Sequence, residues 1–462
     1  MSSSLATVAF VIGILGLFAF ERRQTKISWA AWIPMVWLFI SGSRHVSAWM
    51  NGLGGAMSQE QYLEGSPLDA AVYGLLIVAG GAVLIARWKK VSRILMSNMP
   101  LVIFILYCAL SVAWSDYPGV AMKRWIKSLG DYSAILILLT EAEPAAAVVG
   151  TLSRVSFVIL PLSILFIKYI PALGRTYASH WVGTQFYVGV CDNKNMLGMV
   201  CMIFGFASVC RFLQVLRGPR KNKKQGLIVY GSMAASGVWL LLLSDSKTSL
   251  ACFVLTSGLV VGHVYFKTLR RRAVVLMATA FTVGSSFAVL FLGIGSGALT
   301  HMGRNSTLTG RTDIWAALFT VPINPMLGTG FESFWLGDRL AYLWSIPIVY
   351  GITEAHNGYL EMYLNLGYVG VVLLAVMIWT GFRKITLLLQ SNPGEGRLCF
   401  GYFLIALIYN FTEAGFRSTD LIWIGFILSV VLQTALSPVR KTRPAPSKRI
   451  DLHEDLPLSQ VS

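Results

Sequence analysis

Long apolar runs alternate with short basic clusters along most of the chain. The runs fall near 4–20, 27–42, 67–86, 94–114, 129–140, 150–170, 195–216, 226–243, 248–266, 273–295, 357–381, 398–412 and 420–437. Most approach or reach the ~20 residues a helix needs to cross a bilayer. Inside hydrocarbon the backbone must satisfy its own hydrogen bonds, and runs of this length do so as helices. The pattern therefore predicts an all-α polytopic membrane protein of thirteen transmembrane helices, or twelve if the short run 129–140 is only half-inserted. The first run has no basic stretch before it and no small-residue cleavage site, so it reads as a retained helix rather than a signal peptide.

One long polar interruption breaks the alternation, at about 296–355. It is rich in glycine and carries Trp315, Trp335 and Trp344. At roughly sixty residues it is too long for a simple connector and reads as a structured loop. The expected organisation is a helical bundle over 1–295, this loop over 296–355, further membrane helices over 356–437, and a disordered tail over 438–462. The tail is Pro-rich and charged, which is why it reads as disordered.

Composition supports this class. The chain of 462 residues is 55% hydrophobic and only 13% charged, about half the charge of a soluble protein. Its mean hydropathy is +0.64. The net charge is +17, but the cations sit in clusters such as "RWKKVSR", "RGPRKNKKQ" and "KTLRRR" between apolar runs. Such clusters mark cytoplasmic loops rather than a nucleic-acid surface. With thirteen crossings they place the C-terminus inside and 296–355 outside. Six cysteines show no metal or disulfide spacing; five lie in apolar runs, and Cys191 reads as the one outside the membrane.

The candidate chemistry lies in polar residues that a membrane should not tolerate. A dozen cations fall at outer helix ends or outer loops, among them Arg44, Arg124, Lys194, Lys247, Arg304, Arg311, Arg339 and Arg417. They run against the positive-inside bias, so each needs a reason. For a lone one such as Arg44 or Arg339, snorkelling or a loop ion pair is reason enough. Three stretches are denser: "CDNKNMLG" with Asn193 and Lys194, "SDSKTS" with Lys247, and "GRNSTLTGRTDIW" with Arg304 and Arg311. Each has a plain alternative: an N-cap at Asn193, a tight-turn pair of Asp245 with Lys247, a chance glycosylation sequon at Asn305. Together they offer converging cations on one side of the membrane, as a phosphate-bearing substrate requires. His356 stands beside them at the head of the 357–381 helix, with Glu354, Asn357 and Glu361. The helix N-terminus and nearby arginines disfavour an imidazolium there, while Glu354 favours it. A neutral His356 can accept a proton from a hydroxyl; the alternative role is a cap.

"LTGRTDIWAALFTVPINPMLGTGFESFW" followed by "EAHNGYLEMYLNLGYVG" resembles the core signature of the O-antigen ligase and Wzy-type polysaccharide polymerase superfamily, in its ExoQ-type branch. "LSVAWSDYPGVAMKRW", "VCDNKNMLG" and "SDSKTSLA" resemble its weaker upstream motifs. The resemblance implies a GT-C-like membrane glycosyltransferase that needs neither metal nor other cofactor. It moves oligosaccharide from an undecaprenyl-pyrophosphate donor onto a hydroxyl, on the periplasmic side of the bacterial inner membrane. His356 matches the family's histidine and Arg311 one of its arginines; Lys247 stands where ligases more often carry arginine. On this reading His356, Arg311 and Lys247 are catalytic. Arg304, Lys194, Asn193, Arg124, Asn357 and Glu361 bind or orient substrate. Membrane lipid, a flippase and a chain-length regulator are the implied partners, and no nucleic acid. The favoured function is repeat-unit polymerisation. The rivals are a ligase acting on lipid A core or a protein, and a lipid-linked oligosaccharide flippase, which should show internal repeats and mid-membrane charges.

Overall fold

The computed structural model describes residues 2–51, 65–177, 185–218, 222–292 and 310–436. Arg304, the Asn305 sequon, the start of the 296–355 loop and the tail 438–462 lie outside the described residues. The principal helices are α1 (Ser3–Gln24), α2 (Trp32–Ser41), α3 (Pro67–Ala86), α4 (Trp88–Met96), α5 (Met99–Ser111), α6 (Pro118–Leu139), α7 (Pro144–Tyr169) and α8 (Lys194–Arg217). They continue as α9 (Lys223–Leu243), α10 (Lys247–Tyr265), α11 (Arg272–Phe291), α12 (Arg311–Leu318), α13 (Gly337–Ser345), α14 (Gly358–Ser391), α15 (Pro393–Tyr409) and α16 (Leu421–Leu436). A two-stranded antiparallel ribbon, β1 (Arg175–Tyr177) and β2 (Gln185–Tyr187), pairs Thr176 with Phe186.

Each apolar run of the sequence centres on helix. Among the described residues eight helices are long and apolar enough to span a membrane, or nine if α4 and α5, bent by 95°, form one span. The remaining runs fall on shorter helices and on α6, whose first half carries Lys123, Arg124 and Lys127. This is a multi-pass, all-α membrane protein. Proline opens α3, α6, α7 and α15 in the first turn, where its missing N–H costs no hydrogen bond.

The bundle is built around α7 and α8, which are largely buried, while α1, α3 and α11 turn most of their apolar side chains outward, as helices facing lipid do. α8 packs on α9 where two glycines meet: a Cβ on Gly237 would lie 2.9 Å from the Cα of Gly205. Small residues at such crossings let membrane helices approach closely.

Burial refines two expectations. Cys191 precedes the membrane-length helix α8 and is fully buried, with its Sγ 3.6 Å from the Gly42 carbonyl. Of the two reasons offered for Arg44, the ion pair holds and snorkelling does not: it is 2% exposed, stands 4.0 Å from Asp192 and donates to the carbonyls of Leu173 and Gly189. Arg339 does form a loop ion pair, 2.6 Å from Asp116.

The described part of the 296–355 segment, from residue 310 onward, has a core of its own. Ile314 and Leu318 of α12 pack with Phe334, Trp335, Leu340, Leu343 and Val349, and with Leu364 of α14.

Candidate functional site

The site is organised by a break in α14. Gly367 has φ +61° and divides the 34-residue run into two helical pieces. A break inside an apolar helix strands carbonyls before it and N–H groups after it, which hydrocarbon cannot satisfy. The segment 325–330 supplies the partners. Tyr368 and Val369 donate to the carbonyls of Pro325 and Met326, while Thr329 and Gly330 donate to those of Leu364 and Asn365. The approach is close enough to demand glycine on both sides. A Cβ on Gly367 would fall 2.3 Å from the Met326 carbonyl carbon, and one on Gly328 (φ +68°) 2.5 Å from that of Asn365.

The short outer piece of α14 then acts as a peg. Asn365 Oδ1 accepts from the N–H groups of Ser333 and Phe334. Glu361, one turn earlier, accepts from Trp335 Nε1 at 2.7 Å and from the Ala355 N–H at 2.9 Å. Asn357 caps the helix, accepting from the N–H groups of Tyr359 and Leu360, and donates to the Phe411 carbonyl. Gly358 N–H donates to the Asn410 carbonyl. Glu361 and Asn357 thus bracket His356, whose own backbone is left-handed at φ +48°, and dock it onto the 410–420 turn.

That turn brings in charges that sequence reasoning did not single out as site residues. Arg311 Nη2 donates to Glu413 Oε1 at 2.8 Å. His356 Nδ1 lies 2.8 Å from Glu354 Oε1 and 3.5 Å from Glu413 Oε2. Both carboxylates face Nδ1, so a protonated ring is paired with two negative charges. Arg417 stands 3.4 Å from Glu354 and 3.9 Å from Glu332, and Glu332 accepts from the Ser418 N–H. Arg124 donates to the Glu332 carbonyl. Asp131 of α6 holds the far end of the turn, accepting from Thr419 N–H and Trp37 Nε1 at 2.8 Å each.

The protonation of His356 departs from expectation. Burial pushes its pKa down, but Glu354 and Glu413 outweigh burial and raise it to about 9. Two carboxylates within 3.5 Å prevail over the helix N-terminus, so His356 carries its proton at neutral pH. Burial works to raise the Glu354 carboxyl, but His356, Arg417 and Arg311 hold it below its ordinary value. Arg311, Arg417 and imidazolium are therefore matched by Glu332, Glu354 and Glu413. Ligand atoms of Glu354, His356 and Glu413 lie within 4.8 Å of one another, a set that could hold a metal ion. A cation there would compete with both guanidiniums for the same carboxylates.

The other candidates form a separate, more open group. Lys247 Nζ lies 2.7 Å from Asp245 and Lys194 Nζ 3.5 Å from it. Asn193 caps α8 through the Met196 N–H. The tight-turn pair and the N-cap foreseen as alternatives are both present. This group meets the His356 cluster through Thr248, whose hydroxyl is 3.0 Å from that of Thr412, next to Glu413. A cavity of about 30 Å³ opens beside Arg417, Glu332 and Glu361 over Phe331, Phe416 and Trp423. The signal for Glu413 and Arg417 was present in "FTEAGFRSTD", which sets three ionisable residues within ten positions where two apolar runs meet.

With this geometry in view, the similarities to known proteins can be placed. The O-antigen ligase family model matches residues 232–375. That span holds Lys247, Arg311, His356 and the broken part of α14; Lys194, Glu413 and Arg417 lie beyond it. The chain is also similar to the exopolysaccharide production protein ExoQ of Rhizobium meliloti (strain 1021). Identity is 25% over 357 residues, covering 74% of this chain and 77% of the relative. The motif resemblance therefore has support from both comparisons: this multi-pass membrane protein is similar to the O-antigen ligase family over 232–375 and to ExoQ over about three quarters of its length.

Proposed function

We propose that the protein polymerises undecaprenyl-pyrophosphate-linked oligosaccharide units on the periplasmic face of the inner membrane, for an exopolysaccharide or O-antigen. The observation that carries this reading is the junction of Arg311, Glu413 and His356: a fork for phosphate and a titratable ring share one carboxylate. In the reaction the acceptor hydroxyl attacks the anomeric carbon. The bond from that carbon to the pyrophosphate oxygen breaks, and the lipid pyrophosphate leaves with the electron pair. His356, in its neutral form, takes the hydroxyl proton. Arg311 and Arg417, with Lys247 and Lys194 at the rim, stabilise the charge on the leaving group. Arg124 acts through the Glu332 segment, and Asn357 and Glu361 position His356. The guanidiniums supply the charge stabilisation, so the reaction is proposed to need no metal.

Transfer to lipid A core or a protein is the second reading, favoured by the name of the matching family model. Purified protein in nanodiscs, given lipid-linked repeat units, separates the two. Long chains on the lipid support polymerisation, whereas product only when lipid A core is added overturns it. Sidedness is tested by labelling. Ser333, central to the segment, is only 1% exposed, whereas Tyr350 is 75% exposed. Tyr350→Cys should react with an impermeant thiol reagent in intact spheroplasts. Reaction only after lysis would overturn the periplasmic site.

A further inference from the structure

At the end of α10 away from Lys247, three arginines from three elements close on one helix terminus. Arg217, the last residue of α8, donates to the Val264 carbonyl at 3.4 Å. Arg270, from the turn Lys267–Arg270, donates to the same carbonyl at 2.7 Å and to that of His263 at 3.4 Å. Arg397 of α15 donates to His263 Nδ1 at 3.4 Å. An imidazole nitrogen that accepts from a guanidinium carries no proton, so His263 adds no charge here.

Capping the carbonyls of α10 accounts for only part of this arrangement. A helix C-terminus offers about half a negative charge, against three full positive ones. Among the described residues no carboxylate lies within 4.0 Å of Arg217, Arg270 or Arg397; even Glu395, two residues before Arg397, makes no ion pair with it. This is unlike the His356 site, where each guanidinium has its carboxylate. Arg217 and Arg270 are exposed, so most of their N–H groups remain available. Beside them stand two aromatic side chains turned outward, Tyr265 at 54% and Phe266 at 65% exposure. The Arg217 guanidinium lies 5.1 Å over the Tyr265 ring. Exposed aromatic rings next to cations at the end of an apolar helix mark the depth of lipid headgroups.

We propose that Arg217, Arg270 and Arg397 form a binding site for the phosphate of an anionic phospholipid, seated between the ends of α8, α10 and α15. Phosphate supplies the missing negative charge and accepts from two or three guanidiniums at once, while the acyl chains run along the outward face of Tyr265 and Phe266. The site stands independently of the reaction proposed above.

Delipidated full-length protein in mild detergent should be titrated with phosphatidylglycerol or phosphatidylcholine while the melting temperature is followed. Phosphatidylglycerol should raise it saturably and phosphatidylcholine should not. Half-saturation should move up roughly fivefold for each arginine replaced by glutamine. Arg383→Gln, another exposed cation on α14, should leave the response unchanged. If Arg217→Gln/Arg270→Gln does not fold, the exposed terminal variant Arg217→Gln decides alone. An unchanged phosphatidylglycerol response in the arginine variants overturns the site, as does an equal response to both lipids. Inorganic phosphate reproducing the full shift makes the ligand a free anion and overturns the lipid assignment.

Discussion

Two groups of cations face each other across the Thr248–Thr412 contact, and they are built differently. Around His356 the charges are semi-buried and matched. Arg311 is 21% exposed against Glu413 at 10%, and Arg417 23% exposed against Glu332 at 16%. Around Asp245 they are open: Lys247 is 62% exposed and Asp245 57%. Charges held in a low-dielectric setting are preorganised and act strongly. Exposed lysines are screened, hydrated point charges. On the function proposed above, the first group serves the chemistry and the second captures and steers the anionic donor.

The largest effect should come from removing the ring. His356→Ala should lower polymer formation about 10²–10⁴-fold, the usual range for general acid–base help, while lipid-linked single repeats accumulate. Because Asn357 and Glu361 hold the turn without His356, the variant should fold and bind donor normally. Near wild-type chain growth by a folded variant would reduce His356 to a cap.

Arg311→Lys keeps the charge but loses the planar fork, and should cost about 10²-fold in a nanodisc assay. A rate within twofold of wild type would remove Arg311 from phosphate recognition. Lys247 is the milder case. Lys247→Arg should retain activity, and Lys247→Ala should lose roughly tenfold, chiefly at low donor and low salt, because an exposed charge acts through screened attraction. If Lys247→Ala loses as much as Arg311→Lys at every ionic strength, the two groups work as one.

The helices were legible in the sequence because hydrocarbon leaves a long apolar run little alternative. His356, Arg311 and Lys247 stood out because each interrupts that pattern. What the sequence hid is pairing at a distance. Glu413 lies 102 positions from Arg311, and contacts such as Gly358 N–H to the Asn410 carbonyl and Asn357 to the Phe411 carbonyl bring the 410–420 turn under His356. Counting cations therefore suggested an excess of positive charge where the structure has balance. The same distance concealed Arg44, whose partners Leu173 and Gly189 are 129 and 145 residues away.

The smallest effect tests the electrostatics of the matched group. With a pKa raised to about 9, His356 is neutral in about one molecule in a hundred at pH 7. If it acts as a base, kcat/KM should climb as pH rises toward 9. Glu354→Gln removes the carboxylate 2.8 Å from Nδ1 and leaves the Arg311–Glu413 pair in place. The pKa of His356 should fall, the ascending limb should move toward acid, and the rate at pH 7 should rise a fewfold relative to the variant's own plateau. Stability must shift with the same sign. A raised folded-state pKa contributes stability that is complete below the unfolded value near 6.5 and is lost as pH rises through about 9. Wild type should thus lose melting temperature between pH 6.5 and 9, and Glu354→Gln should lose less. An unshifted rate profile with a flattened stability curve would mean that Glu354 tunes His356 but that the titration of His356 does not limit the reaction.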